Sequence, residues 1–215
     1  MKKILVLGAG LVSSPLVNYL LDEEDFEVTV ATRTVSKAEK LIKGHERGKA
    51  VQLNVKDTES LRQLIQNTDI AISLLPYVFH VKVAKLCIEF GKNMVTTSYI
   101  SDEMEALDEE AREAGLLILN EIGVDPGIDH MSAMRIIDRV EEEGGKITSF
   151  KSYCGGLPAP EANDNPFGYK FSWSPRGVLM AGKNNAKYLE NGEVVEVPGE
   201  ELFKHHWSLD FEGAP

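Results

Sequence analysis

The sequence predicts a doubly wound α/β fold with a parallel sheet, followed by part of an α+β domain. Two observations predict the sheet: short runs of Val, Ile and Leu recur along the first 120 residues, and amphipathic segments separate them. The runs lack polar alternation, which is typical of parallel strands covered by helices on both faces. Repeated alternation of strand and helix predicts right-handed crossovers. The predicted strands are residues 3–7, 27–31, 50–53, 70–74, 93–97 and 116–119.

Amphipathic segments between these runs are the predicted helices. Val12, Leu16 and Leu20 recur at intervals of four residues, which places them in one apolar stripe on a helix surface. Ser101 is a candidate N-cap, because its hydroxyl can accept a hydrogen bond from a free N–H of the first helical turn. The other predicted helices are residues 58–66, 83–90 and 102–114.

The pattern changes after Asn120, and we predict a domain boundary there, with residues 1–124 in one domain and 125–215 in the next. A helix with apolar residues from Ala133 to Val140 comes first, closed by two glycines. Asn191-Gly192 between two β-prone runs predicts a tight hairpin. The remaining predictions are strands over 147–153 and 169–173 and an ordered, proline-rich loop over 157–167.

Composition and charge exclude several classes of protein. The 215 residues carry 23 Lys and Arg against 34 Asp and Glu, a net charge of −11. This excess argues against nucleic acid and anionic membrane surfaces as partners, since both are bound through basic side chains. Cys87 and Cys154 are too few for a disulfide scaffold and favour a reduced, cytoplasmic compartment. We predict no metal site: His205 and His206 are neighbours that would point to opposite faces of a strand.

A glycine-rich turn follows the first predicted strand and opens the first predicted helix. Gly8 and Gly10 fit the first two glycines of G-x-G-x-x-G, and Ser13 stands in place of the third. The first glycine allows the tight turn, and the second lets the backbone approach a pyrophosphate at the helix N-terminus. Ser13 is small enough to keep helix and strand close. The context of strand, turn and helix predicts a dinucleotide-binding domain of the Rossmann type.

The end of the second strand favours NADP(H) over NAD(H). A site for NAD usually places a carboxylate there, about 20 residues after the glycines, to bind the ribose hydroxyls. Here the strand ends in Thr32-Arg33-Thr34. A guanidinium and hydroxyl groups suit a 2′-phosphate, which a carboxylate would repel.

Five further motifs carry a resemblance to a known family. They are SLLPYVFH (73–80), TTSY (96–99), NEIGVDPGIDH (120–130), YCGGLPAPE (153–161) and NPFGYKFSWSP (165–175). Together they closely resemble the saccharopine dehydrogenase family, in particular its L-glutamate-forming branch, through essentially the whole chain. These long ungapped motifs are far more specific than the glycine turn.

The resemblance implies a reaction of lysine metabolism. Family members join the aldehyde of 2-aminoadipate 6-semialdehyde to the amine of L-glutamate and reduce the imine with NADPH, which gives saccharopine. Such an enzyme must hold the imine carbon near the nicotinamide and keep water out of the hydride step. The implied partners are these small molecules, and a homodimer is compatible with the sequence.

The resemblance also implies a set of site residues. Positions that look like cofactor contacts are Gly8, Gly10, Leu11, Val12, Thr32, Arg33, Thr34, Asn54, Leu74, Leu75 and Thr96, with Val124, Asp125 and Pro126 beneath the nicotinamide. Positions that look like substrate contacts are Ser98, Tyr99, Asp125, Cys154, Phe171 and Trp173.

Two of these positions are the candidate catalytic residues. Asp125 would handle the nitrogen proton or orient the amine, because a carboxylate stabilises an iminium charge. The alternative role for Asp125 is that of an N-cap residue, since Asp before Pro-Gly is common at the start of a helix. Cys154 would be a polar contact, or else a small buried side chain.

The sequence departs from the family in length. Members of this branch are much longer, and the later part of their substrate domain supplies basic side chains for the substrate carboxylates. We therefore expect a fragment or a truncated product that binds NADP(H) but turns over saccharopine poorly. The alternatives are an imine reductase of polyamine synthesis, of the carboxynorspermidine or homospermidine type, and a non-catalytic NADP(H)-sensing module.

Overall fold

The computed structural model describes residues 1–204, 206 and 208. Its contacts divide the chain into two compact units, Met1–Cys154 and a second that begins at Gly155. His205, which entered the prediction about metal binding, lies outside the described residues.

A six-stranded parallel sheet forms the first unit, in the order β3-β2-β1-β4-β5-β6. This arrangement confirms the predicted doubly wound α/β fold. Strand order reverses between β1 and β4, and open α/β sheets bind ligands at the carboxyl ends of the strands beside such a point. The strands are β1 (Lys2–Leu7), β2 (Phe26–Thr32), β3 (Gly48–Gln52), β4 (Ile70–Ser73), β5 (Asn93–Thr96) and β6 (Ile118–Leu119).

Helices connect these strands, and half of them follow the prediction. They are α1 (Ser13–Asp22), α2 (Val35–Ile42), α3 (Thr58–Gln66), α4 (His80–Glu89), α5 (Asp102–Glu105) and α6 (Asp108–Glu113). The Ser101 hydroxyl accepts a hydrogen bond from the Met104 N–H, which confirms the predicted N-cap. The single helix predicted over 102–114 is wrong. The Leu107 N–H bonds to the Met104 carbonyl in a tighter turn, which divides the segment while Met104 and Leu107 stay buried.

Two hydrophobic clusters hold the sheet between its helices. Leu5 and Leu7 face the cluster that α3 and α4 complete, and Ile4 and Val6 face the cluster that α1 and α2 complete. Successive side chains of a strand point to opposite faces, so one apolar run supplies both clusters. This double coverage explains why the strands show no polar alternation.

Beyond the sheet, local signals predict the structure better than strand propensity does. The predicted helix forms as α7 (Ile128–Glu142), and the predicted hairpin forms as β7 (Ala186–Glu190) and β8 (Glu193–Val197) around Asn191, whose φ is +53°. Strands over 147–153 and 169–173 were predicted, and both are wrong, since these segments are irregular and pair with no described strand. Their apolar residues are exposed or only half-buried, so no sheet face stabilises an extended chain. A short helix that was not predicted, α8 (Pro175–Ala181), follows, and the Ser174 hydroxyl caps it.

Candidate active site

The glycine turn after β1 leaves a cradle at the start of α1. Gly8 has a φ of +116°, and a Cβ on it would lie 2.9 Å from the Leu74 carbonyl oxygen, so only glycine fits between β1 and β4. A Cβ on Gly10 would meet nothing within 4 Å. The N-terminus of α1 has no side-chain cap and no acidic residue in its first turn. Free N–H groups beside an open glycine suit an anionic pyrophosphate.

Ser13 does more in this turn than replace a glycine. Its hydroxyl accepts a hydrogen bond from the Gly10 N–H at 3.0 Å and lies 3.4 Å from the Gly8 carbonyl oxygen, to which it donates. The residue is fully buried. Ser13 therefore ties the two glycines to the first turn of α1, a role that the motif alone does not predict.

The tip of β2 presents donors and no carboxylate. Arg33 and Thr34 are exposed just beyond the strand, and Thr34 is the N-cap residue of α2 without a side-chain cap bond. The first turn of α2 contains no acidic residue. Sequence analysis missed α2, whose start adds free N–H groups beside Arg33. A phosphate group fits this donor set.

The remaining predicted cofactor contacts lie around the same edge. Leu11 and Val12 are exposed at the start of α1, and Leu74 and Leu75 are half-buried after β4. Asn54 is exposed after β3, where its side-chain oxygen accepts from the Lys56 N–H. Thr96 differs, because it is only 1% exposed. Its hydroxyl faces other side chains of the protein, so the side chain has almost no surface to offer a ligand.

Tyr99, Asp125 and Cys154 come together in the first unit. The Tyr99 hydroxyl donates a hydrogen bond of 2.6 Å to Oδ1 of Asp125, and the Cys154 thiol bonds to the same carboxylate. Tyr99 and Cys154 are both exposed. The structure thus brings these three residues into one cluster, although they are 26 or more residues apart in sequence, and their contact with a substrate stays a prediction.

The surroundings of Tyr99 and Cys154 raise the pKa of both groups. The hydrogen bond to Asp125 and burial, with the charges of Asp125, Asp129 and Glu121, raise the pKa of Tyr99 to about 12. Burial and the charge of Asp125 also raise the pKa of the Cys154 thiol. Both groups are therefore neutral donors near pH 7.

The segment before α7 positions Asp125. Gly127, with a φ of +146°, is the N-cap residue of α7, and a Cβ on it would lie 2.2 Å from the Gly123 carbonyl oxygen. The alternative role for Asp125 as the N-cap is therefore wrong. The Asp129 carboxylate accepts from the Gly127 N–H, and His130 braces Asp129 at 2.7 Å. Val124 is exposed and Pro126 is buried, so Asp125 is held outward from a fixed turn.

A buried histidine, His80, lies beneath this edge, where the sequence predicts only that it could line the cleft near the fourth strand. Nδ1 of His80 lies 2.9 Å from the Ser73 hydroxyl, and Nε2 lies 2.8 Å from the Ser98 hydroxyl. Burial lowers the pKa of His80 to about 4, so the ring is neutral near pH 7. His80 is the first residue of α4, seven residues after the end of β4, and this position near the fourth strand is the sequence signal for it.

Two predicted substrate contacts lie in the second unit. Phe171 packs edge-on against Tyr169 with ring centroids 5.6 Å apart, and Trp173 lies against Gly177 of α8. Both rings remain exposed. Cys87, in contrast, is buried in the first unit, as expected for a core residue.

Metal-binding clusters and membrane-spanning helices are both absent from the part of the chain that the structure describes. No group of three or more His, Cys, Asp or Glu side chains among residues 1–204, 206 and 208 could hold a metal ion. Over the same residues, none of the helices is long and apolar enough to cross a bilayer.

Comparison with known proteins decides the family. Residues 4–119 match the family model described as the saccharopine dehydrogenase NADP binding domain. The chain belongs to the saccharopine dehydrogenase family. Residues 123–215 match a second model, the saccharopine dehydrogenase C-terminal domain. The predicted resemblance is confirmed, and so is the prediction of an NADP(H)-binding domain.

Individual relatives agree with this family. The chain is 50% identical over 204 residues to saccharopine dehydrogenase [NADP(+), L-glutamate-forming] of Schizosaccharomyces pombe, covering 95% of the chain and 45% of that protein. The apo structure of the L-Glu-forming saccharopine dehydrogenase from Saccharomyces cerevisiae is 48% identical, with a TM-score of 0.83, over 93% of the chain and 45% of the other. A carboxynorspermidine synthase of Vibrio alginolyticus is only 25% identical, over 97% of the chain and 54% of that protein. The chain thus spans about half the length of these relatives.

Proposed function

We propose that this chain is the cofactor-binding part, with the first part of the substrate domain, of an NADP-dependent saccharopine dehydrogenase of the L-glutamate-forming type. The reaction is reversible: NADPH, a proton and the imine of 2-aminoadipate 6-semialdehyde and L-glutamate give NADP⁺ and saccharopine. The observation that carries the proposal is the Tyr99–Asp125–Cys154 cluster at the carboxyl edge of the sheet. The 50% identity to an enzyme of that name supports it.

The first unit supplies the binding surface for the dinucleotide. We assign the pyrophosphate to the N–H groups around Gly10 and the 2′-phosphate to Arg33 and Thr34. The bound NADPH supplies the hydride. Val124 and Pro126 then hold the chain beneath the nicotinamide, so that Asp125 faces the reacting carbon–nitrogen bond.

Asp125 carries the proton chemistry in this proposal. Tyr99 donates to Oδ1 of Asp125, which fixes the orientation of the carboxylate that would meet the substrate nitrogen. An anion beside an iminium stabilises the positive charge and can accept an N–H. Because Tyr99 and Cys154 are neutral, we assign them to orienting Asp125 and the substrate rather than to removing a proton.

The substrate carboxylates need partners of the opposite charge. The charged groups acting on the Tyr99 hydroxyl are Asp125, Asp129 and Glu121, all negative. We propose that basic side chains elsewhere in the full-length protein bind the carboxylates, while Phe171 and Trp173 wall the pocket. The division at 124/125 then separates cofactor binding from substrate binding. We also propose a cytoplasmic location, from the two free cysteines, and a homodimer.

A substrate panel tests the proposal. The full-length protein is assayed by NADPH absorbance with saccharopine in one direction, and with L-glutamate plus the semialdehyde in the other, each with NADP(H) and NAD(H). We expect hydride transfer with saccharopine and a preference for NADP(H). The 215-residue chain alone should bind NADPH but turn over saccharopine slowly.

Two outcomes would support the alternatives. Turnover with an aldehyde and a diamine, and none with saccharopine, would support an imine reductase like the carboxynorspermidine synthase relative. Tight NADPH binding without any transfer by the full-length protein would support a sensing module. Either outcome contradicts the proposed reaction.

A further inference from the structure

Four side chains form a buried network between the ends of β4 and β5. His80, 4% exposed, contacts three hydroxyl groups. Nδ1 lies 2.9 Å from Ser73 Oγ, and Nε2 lies 2.8 Å from Ser98 Oγ and 3.2 Å from Thr96 Oγ1. The Thr96 hydroxyl also lies 3.0 Å from the Ser73 carbonyl oxygen. Of the three hydroxyls, only that of Ser98 belongs to a residue with substantial exposure.

Thr96 determines which nitrogen of His80 carries the proton. The Ser73 carbonyl oxygen can only accept a hydrogen bond, so the Thr96 hydroxyl must donate to it. Thr96 Oγ1 therefore presents lone pairs to Nε2 of His80. A bare Nε2 at 3.2 Å would repel them, whereas Nε2–H can donate to both Thr96 and Ser98. Since the ring is neutral, Nδ1 is bare and accepts from the Ser73 hydroxyl.

This tautomer sets the direction of the hydrogen bond at Ser98. The Ser98 oxygen accepts from Nε2–H of His80, so its own proton is not used in that bond. In the part of the chain that the structure describes, His80 is the hydrogen-bond partner of this hydroxyl. The Ser98 O–H is therefore available to donate toward the site, and it cannot accept from His80 and donate back to it.

We propose that His80 is a positioning residue that makes the Ser98 hydroxyl a dedicated hydrogen-bond donor to a substrate carboxylate. The proposal rests on the proposed function, because it needs a carboxylated substrate at Ser98. Asp125, Asp129 and Glu121 place negative charge beside the neighbouring Tyr99 hydroxyl, so a hydroxyl held in the donating direction would help to bind a carboxylate there. A hydroxyl free to rotate would spend part of its time presenting lone pairs to the carboxylate.

A direct test is the protonation pattern of the imidazole. Nitrogen NMR of the full-length protein labelled at histidine, assigned with a His80→Gln variant, reports which ring nitrogen carries hydrogen. We expect a neutral ring with Nε2–H near pH 7, without substrate. An Nδ1–H tautomer, or a ring protonated on both nitrogens, would overturn the proposal whatever the enzyme's activity.

A kinetic test separates positioning from a purely structural role. Glutamine can place an amide nitrogen near the position of Nε2, whereas asparagine reaches only the position of Nδ1. We expect Ser98→Ala and His80→Asn each to raise KM for one carboxylated substrate by about tenfold to a hundredfold. His80→Gln should restore KM to within about threefold of the unmodified protein. The double variant His80→Asn with Ser98→Ala should be no worse than Ser98→Ala alone.

The two substrates and a matched control complete the design. Separate KM values for L-glutamate and the semialdehyde show which of the two supplies the carboxylate. Thr68→Val removes another buried hydroxyl, at the amino end of β4, and should lower stability without changing either KM. Equal KM effects of His80→Gln and His80→Asn, or no effect of Ser98→Ala, would overturn the inference. Absence of any transfer by the unmodified protein would instead overturn the proposed function and leave the NMR result standing.

Discussion

The two regions of the molecule differ in where their apolar side chains go. From Ile4 to Ala111, hydrophobic residues fill two clusters on the faces of one sheet. Beyond Ala111, the apolar side chains that are buried among the described residues are those of Pro126 and Val197. Even α7 has no buried residue, although it carries Ile128, Met131 and Ile136.

The difference shows which sequence signals are sufficient to predict a helix, strand or turn. In the first region, the strands supply apolar residues to both faces, so periodicity and burial agree. In the second region, the elements that form are those whose stabilising contacts are local: the Asn191 turn and the Ser174 cap. The segments predicted as strands from composition alone find no partner among the described residues.

The largest expected contrast comes from shortening one leucine in each region. Leu61→Ala removes a side chain that is 0% exposed in the first region, and we expect a loss of about 2–5 kcal/mol in the free energy of unfolding. Leu189→Ala shortens a side chain that is 69% exposed in β7, and it should change the free energy of unfolding by less than about 0.5 kcal/mol. Urea titrations followed by far-UV circular dichroism measure both. Similar losses would show that the second region has a core of its own.

The next effect concerns acid stability of the first region. Because the pKa of His80 is lowered to about 4 in the folded protein, the unfolded chain binds the extra proton first as the pH falls. The contribution of His80 to the free energy of unfolding is therefore fully present above about pH 6.5 and is lost as the pH falls toward 4. In total it is on the order of 3 kcal/mol.

Melting curves of the unmodified protein and of His80→Gln between pH 7 and pH 4 test this sign. The unmodified protein should lose more stability than the variant over this interval. The same slope in both proteins would show that the pKa of His80 is not lowered in the folded state.

The smallest of these effects concerns cofactor choice, which the account places wholly in the first region. Arg33→Ala would remove the charge-assisted contact that we propose to the 2′-phosphate, and the Kd for NADPH should rise by about tenfold to a hundredfold. The Kd for NADH should change little. Arg176→Ala, an exposed arginine of the second region, is the matched control and should leave both values unchanged. Fluorescence titration measures the Kd values for NADPH and NADH in both variants and in the unmodified protein. An equal loss of affinity for NADH would show that Arg33 does not contact the 2′-phosphate.

Sequence analysis predicted the sheet and the cofactor edge but not the finer chemistry. Strand ends and the glycine turn depend on neighbours in the chain, so Gly8, Gly10 and Arg33 could be identified directly. The resemblance supplied Tyr99, Asp125 and Cys154, and the structure added how they bond. The hydrogen bonds of Ser13 and His80 join residues whose pairing depends on the folded backbone, and no spacing rule predicts them. Helix α2 was missed because just two of its residues, Ala38 and Ile42, are buried.

A structure of the full-length protein with NADP⁺ and saccharopine would test the central claim most directly. We predict the nicotinamide at the carboxyl edge of the sheet, with its C4 about 3–3.5 Å from the substrate carbon that exchanges hydride. The substrate nitrogen should lie within hydrogen-bond distance of Asp125. A nicotinamide bound away from this edge, or a substrate nitrogen beyond the reach of Asp125, would contradict the account.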